Sequence, residues 1–193
     1  MKIAILGSES TGKSHLAKAL ATVLAEGAAR VVSIPEALRE WCDRQGRTPR
    51  AHEQQAIATE QARRIDAVPA VDFLIADTAP LMTAVYSDLL FNDASLYETA
   101  IKQQQSFDLT LVMGLDLPWV ADGIQRDGPE ARVCVDTRLR EVLHRHALGY
   151  SVVSGSGEAR TQCALQAIAR HVNKKRLLAT APPCWTGASP PPE

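Results

Sequence analysis

Five short apolar runs, at residues 2–6, 31–34, 72–77, 109–114 and 150–153, recur along the chain. Each is of strand length, and several are rich in the β-branched residues that a buried strand favours. Between them the apolar positions fall at helical spacing instead. Residues 15–24 carry such a stripe and stop near Gly27, a residue that ends helices readily. Ile57, Ala58, Ala62 and Ile65 mark the less polar side of a helix over 51–67, and Val135, Leu139, Leu143 and Ala147 that of a later one. Helices are also predicted over 80–90, 96–105 and 157–172, with Asn92 or Ser95 as the cap of the one at 96–105. Pro35 suits the start of a helix carrying Glu36, Arg39 and Glu40. Strands alternating with helices argue an α/β fold: a five-stranded, mostly parallel sheet covered on both faces.

Three stretches break the pattern. Residues 43–50 are a polar loop. Residues 116–132 have no clean period and are rich in glycine, charge and turn formers, so they read as a lid. From residue 181 the chain is too proline-rich for a regular element. The expected organisation is one domain over 1–180 with a flexible tail at 181–193.

The turn after the first strand changes the picture most. Residues 7–14 read GSESTGKS, which fits G-x-x-x-x-G-K-[ST] between a strand and a helix, the order a phosphate-binding loop requires. Gly7 and Gly12 permit the tight backbone turn, and successive N–H groups then point inward at a helix N-terminus. Lys13 is long enough to reach β- and γ-phosphates, and Ser14 supplies a hydroxyl for Mg²⁺. Ser10, Thr11 and His15 complete the nucleotide-binding set. Glu9 belongs to it by position, but a carboxylate is repelled by triphosphate, so its side chain is expected to point outward. The fold expected on this basis is a three-layer P-loop NTPase sandwich, with ATP and Mg²⁺ as cofactors.

Composition narrows the partners. The chain has 193 residues, 21 basic and 22 acidic side chains and a formal net charge of -1. That balance offers no nucleic-acid or membrane surface, and no apolar run approaches the length of a membrane span. Residues 2–6 read as a strand feeding the loop, not as a signal peptide. The four cysteines are scattered, as expected of free thiols in a reducing cytoplasm. The partner left is a small-molecule substrate; the sequence sets no oligomeric state.

In open α/β sheets the ligand sits at the C-terminal edges of the strands. Glu36 after the second strand, Asp77 after the third and the lid after the fourth converge there with the loop. Asp77 is placed as the Mg²⁺ partner opposite Ser14. Glu36 can orient or deprotonate an attacking hydroxyl, with Arg39 one turn on for substrate anions. Arg126 and Arg132 flank the mobile-looking segment, where guanidinium groups meet the charge of a transferring phosphoryl group. Trp119 either stacks on a planar substrate or packs the lid base. Arg138 and Arg140 read as a solvated helix face. The chain lacks a clear T-K-x-D or N-K-x-D signature for guanine, so small size, the carboxylate and the lid favour a small-molecule kinase.

Taken together, Gly7–Ser14, Glu36 with Arg39-Glu40, Ile75-Ala76-Asp77-Thr78, and Asp116 through Pro118-Trp119-Val120, Asp122-Gly123-Ile124 and Arg126 resemble the NadR-type ribosylnicotinamide kinase family. The resemblance covers about residues 1–170. It implies ATP-dependent phosphorylation of nicotinamide riboside at its 5′-hydroxyl, giving nicotinamide mononucleotide for NAD biosynthesis. It assigns Lys13 and Ser14 to the nucleotide, Asp77 to magnesium, and Asp122 and Arg126 to the lid side. It supports Glu36 as a substrate-side group and leaves open which carboxylate, Glu36 or Asp77, is the base. Many family members carry an adenylyltransferase module ahead of the kinase; here none is expected. Ala79 and Pro80 follow the Asp-Thr pair where the family often has a second acid, and Arg126 sits three residues after the glycine instead of two. Those departures keep two alternatives in view: another nucleoside-like acceptor, or a nucleotide-binding regulatory protein.

Overall fold

The computed structural model describes residues 1–120 and 128–180. Strands β1 (Lys2–Leu6), β2 (Val31–Ile34), β3 (Phe73–Asp77), β4 (Leu109–Met113) and β5 (Ser151–Val153) form one parallel sheet in the order β2-β3-β1-β4-β5. Helices α1 (Lys13–Glu26), α2 (Ala37–Gln45), α3 (Ala51–Asp66), α4 (Pro80–Phe91), α5 (Tyr97–Gln104), α6 (Gly128–Arg145) and α7 (Gly157–Thr180) connect and flank them. Parallel strands need such crossovers, and the crossovers leave both faces of the sheet dry.

The alternation within β1 shows how the layers assemble. Ile3 and Ile5 point to one face and pack with Leu16 and Leu20 of α1 and with Ala164 and Ile168 of α7. Ala4 and Leu6 point to the other, against Leu81 and Val85 of α4, Ala100 of α5, and Leu139 and Leu143 of α6. All five residues of β4 are buried, so it reads as a continuous apolar run. The three-layer sandwich expected from the pattern is the one observed. Among the described residues no helix is long and apolar enough to cross a membrane.

Local differences from the expected elements have identifiable causes. Asn92 does not cap α5. It closes α4 in the left-handed region at φ 53°, its N–H on the Asp88 carbonyl at 2.9 Å, a role asparagine tolerates well. Ser95 is not the cap either, since α5 begins after Leu96 without a side-chain cap. Helix α2 starts two residues later than Pro35 would set it, so Glu36 is its N-cap and not a residue within it. Helix α6 begins at Gly128, so the last residues assigned to the lid are its first turn. Helix α7 runs on to Thr180, beyond the expected end at 172. Arg138 and Arg140 are not a free solvated face: the first pairs with Asp88, the second with Asp136 at 2.7 Å.

Candidate active site

The central strand β1 delivers the phosphate loop to the sheet's C-terminal edge. Gly7 has φ +153°, and a Cβ there would come within 2.9 Å of the Met113 Cβ on β4, so only glycine lets the chain turn so close. Gly12 is left-handed at φ +80° and is the N-cap of α1. Thr11 Oγ1 donates to the Ser8 carbonyl at 2.7 Å, and Lys13 Nζ reaches the same carbonyl at 2.9 Å. The lysine is thereby folded over the loop, its charge held where phosphate oxygens would lie. Ser10 to His15, with Lys18, Arg39 and Leu117, wall a cavity of about 490 Å³ over the loop.

The register beside the loop explains the carboxylates. Asp77 is the Cα partner of Ile5, two residues before Gly7, so the last residue of β3 stands next to the start of the loop. Thr78 follows in the left-handed region at φ 79°, where a β-branched side chain is strained, and its N–H binds the Ile5 carbonyl at 3.1 Å. Glu36 leaves β2 two residues after Ile34 and is only 9 % exposed. Burial raises its pKa above the usual carboxylate range; the Asp77 charge adds to that, while Lys13 and Arg39 oppose it. Arg39 Nε lies 3.7 Å from Glu36 Oε2, as the one-turn spacing allows. Glu36, Lys13, Asp77 and Arg39 are therefore one electrostatic cluster.

Asp77 Oδ1 is buried without a hydrogen-bond partner among the described residues, as are Ser8 Oγ and Thr78 Oγ1. Buried polar atoms without a partner cost stability. Ser14, in the first turn of α1, and Asp77, the last residue of β3, are two oxygen donors. That suits Mg²⁺, which takes one or two protein oxygens with the rest from phosphate and water. No larger cluster of three or more histidine, cysteine, aspartate or glutamate side chains exists among the described residues.

Arg132 is 4 % exposed on the face of α6 that carries Val135 and Leu139 toward α4, with Nε and Nη2 unpartnered among the described residues. A buried guanidinium with two free donors is expensive unless an anion arrives. The sequence placed it on the rim of an irregular segment; the fold buries it in a helix. Trp119 donates its indole N–H to Glu9 Oε1 at 3.1 Å, which ties the chain after β4 to the loop and holds the Glu9 side chain. Asp122 and Arg126 lie outside the described residues.

Beyond Glu9 a second cavity, about 380 Å³, is bounded by Leu38, Pro49, Gln54, Tyr86, Leu90 and Phe91. Glu9, Thr48 and Arg50 also line it, and aliphatic and aromatic walls with a few polar groups suit a flat, partly polar molecule. Glu9 lines one cavity and Ser10 the other, the first with Tyr86 and Phe91 in its wall and the second over residues 10–15.

Sequence reading missed Gln61. It is 3 % exposed on α3; its Oε1 accepts the Ala37 N–H at 2.7 Å, and its Nε2 donates to the Thr78 carbonyl at 3.2 Å. One carboxamide thus joins the residue after Glu36 to the residue after Asp77. A glutamine within AHEQQAIATEQARRID carries no signal that separates it from a solvated helix position. Gln61→Leu leaves both backbone groups without a partner, at about 1–3 kcal/mol each. Thermal unfolding should then come earlier by about 2–4 °C per kcal/mol, and an unchanged midpoint contradicts the strut.

Against known proteins, the AAA domain family model matches residues 2–160. Among solved structures, a NadR protein in complex with nicotinamide riboside (NR) superposes with TM-score 0.70 at 20% identity, over 88% of this chain and 50% of that one. A NadR protein in complex with NAD and AMP-PNP gives 0.69 at 18% identity, over 89% and 49%. The deoxyadenosine kinase from M. mycoides, with products dCMP and a flexible dCDP bound, gives 0.58 at 17% identity, over 90% and 100%. The chain therefore spans about half the length of the NadR proteins it matches, and identities this low show a shared fold. A search of curated proteins gives no match. With a family model covering most of its length and a phosphate loop on its central strand, the chain belongs to the AAA domain family of P-loop nucleotide-binding proteins.

Proposed function

We propose that the protein is an ATP-dependent phosphotransferase that moves the γ-phosphoryl group of ATP to the hydroxyl of a nucleoside-like small molecule. Nicotinamide riboside is the first candidate acceptor, with nicotinamide mononucleotide as product. The observation that carries this reading is the buried Glu36, whose charge is coupled to those of Lys13 and Asp77, together with a separate cavity that Tyr86 and Phe91 help to line. The acceptor hydroxyl gives its proton to Glu36 as its oxygen bonds to the γ-phosphorus, and the bond to the β–γ bridging oxygen breaks. A carboxylate whose pKa is raised toward neutrality holds that proton better than an ordinary one. Lys13 and the loop N–H groups face the charge on the phosphates, and Arg132 is a buried cation available to it. Ser14 and Asp77 would hold Mg²⁺, which would neutralise further phosphate charge. Arg39, Trp119, Asp122 and Arg126 are assigned to the acceptor and lid side.

The AAA-domain match favours a second reading, in which water is the acceptor and the protein hydrolyses ATP. ADP release measured against a panel of nucleosides and pyridine ribosides separates the two. Several-fold stimulation by nicotinamide riboside is expected. Stimulation by another nucleoside alone moves the acceptor assignment, and stimulation by none supports hydrolysis.

A further inference from the structure

Arg160 lies on α7, distant in sequence from the phosphate loop, yet its side chain ends against it. The residue is 4 % exposed. Nη1 donates to the Thr11 carbonyl at 2.6 Å, Nε to the Gly155 carbonyl at 2.6 Å, and Nη2 to Asp116 Oδ1 at 2.5 Å. The other Asp116 oxygen accepts the Gly155 N–H at 2.6 Å. One buried cation, neutralised by one carboxylate, thus joins the loop after β1 to the chain after β4 and the turn after β5. The five-donor fork of arginine spans three such acceptors; the point charge of lysine does not.

The contact with Thr11 matters for what the loop presents. In a trans peptide the C=O of one residue and the N–H of the next point in opposite directions. Anchoring the Thr11 carbonyl on Arg160 therefore turns the Gly12 N–H the other way, and Gly12 is part of the wall of the cavity over the loop. Gly12 is left-handed at φ +80°, a conformation the free chain has no strong reason to hold.

We infer that Arg160, oriented by Asp116, is a positioning residue for the phosphate loop. It fixes the Thr11–Gly12 peptide so that the Gly12 N–H is ready for phosphate. It also makes phosphate affinity depend on the chain that leaves β4 through Asp116 toward Trp119. The inference rests on the loop binding a nucleotide and is independent of the acceptor.

The test uses Arg160→Lys and Asp116→Asn in the full chain, with Mg²⁺–ADP as probe and the Gly12 amide resonance of the nucleotide-free protein as a second readout. Arg160→Lys should weaken Mg²⁺–ADP binding by about tenfold or more, the scale of a lost charge-assisted hydrogen bond. Asp116→Asn should weaken it less, and the double variant no more than Arg160→Lys alone. The Gly12 resonance should move in both single variants, which a defect confined to the packing of α7 does not require. Asp116 is exposed, so its variant serves as the second test if Arg160→Lys does not fold. Folded variants that bind Mg²⁺–ADP within about twofold of the parent (under half a kcal/mol), with the Gly12 resonance unmoved, overturn the inference. If the parent itself binds no nucleotide, the phosphate-loop reading fails instead. The Gly12 resonance then reports on the peptide alone: a shift in the variants upholds the hold of Arg160 on the Thr11–Gly12 peptide without a phosphate role, and no shift overturns that as well.

Discussion

Lys13→Ala should lower phosphoryl transfer by about 10²–10³-fold, the usual consequence of removing one preorganised donor from a developing negative charge. The fold should survive. Lys13 Nζ touches the Ser8 carbonyl, and that carbonyl also accepts from Thr11 Oγ1, so its loss leaves no backbone group stranded. Circular dichroism and the unfolding midpoint should match the parent while turnover with ATP collapses. Unchanged turnover in a folded Lys13→Ala protein contradicts the assignment of residues 7–14 as the phosphate site.

Glu36→Gln should reduce kcat by about 10²–10⁴-fold, the range a positioned general base contributes. Its pH dependence is the more telling part. Burial raises the Glu36 pKa, so the parent's rate should climb with pH as Glu36 loses its proton and then level off. The glutamine variant should lack that limb. Stability should move in the opposite sense. A carboxyl whose folded pKa lies above its unfolded value stabilises the fold fully below the unfolded pKa and loses that contribution as pH rises through the folded one. Glu36→Gln should therefore unfold at a higher temperature than the parent at neutral pH, with the gap closing in acid. A variant with full kcat sinks Glu36 as the base. The pattern is what distinguishes a buried catalytic carboxylate from a buried structural one: activity lost, stability gained.

Much of this was legible in the residues because it is local. The apolar runs alternate with helical stripes, and a parallel sheet is nearly the only way to bury both. The GSESTGKS turn announces its own conformation, since Gly7 and Gly12 stand where the backbone needs them. Glu36 and Asp77 stand out in the sequence because one closely follows an apolar run and the other ends one, and strand ends converge. What stayed hidden depends on contacts between residues far apart in the chain. Gln61 and Arg160 look like ordinary polar positions on α3 and α7 until the fold brings Thr78 and Thr11 to them. Arg132 reads as lid from composition, because a glycine- and charge-rich stretch hides where α6 starts; Gly128-Pro129 begins a helix, and burial follows from the α4 contact. Asn92 was placed at the wrong helix end because asparagine suits both a cap and a left-handed stop, and only the backbone angle separates them.

The two chambers, one lined by Ser10 and the other by Glu9, fit a protein in which phosphate leaves ATP for the hydroxyl of a small molecule and not for water. Mass spectrometry of a reaction holding the protein, Mg²⁺–ATP and nicotinamide riboside tests it most directly. ADP and nicotinamide mononucleotide should form in equal amounts, with little inorganic phosphate. ADP matched by inorganic phosphate, with no phosphorylated product from nicotinamide riboside or from any nucleoside offered in its place, would contradict it.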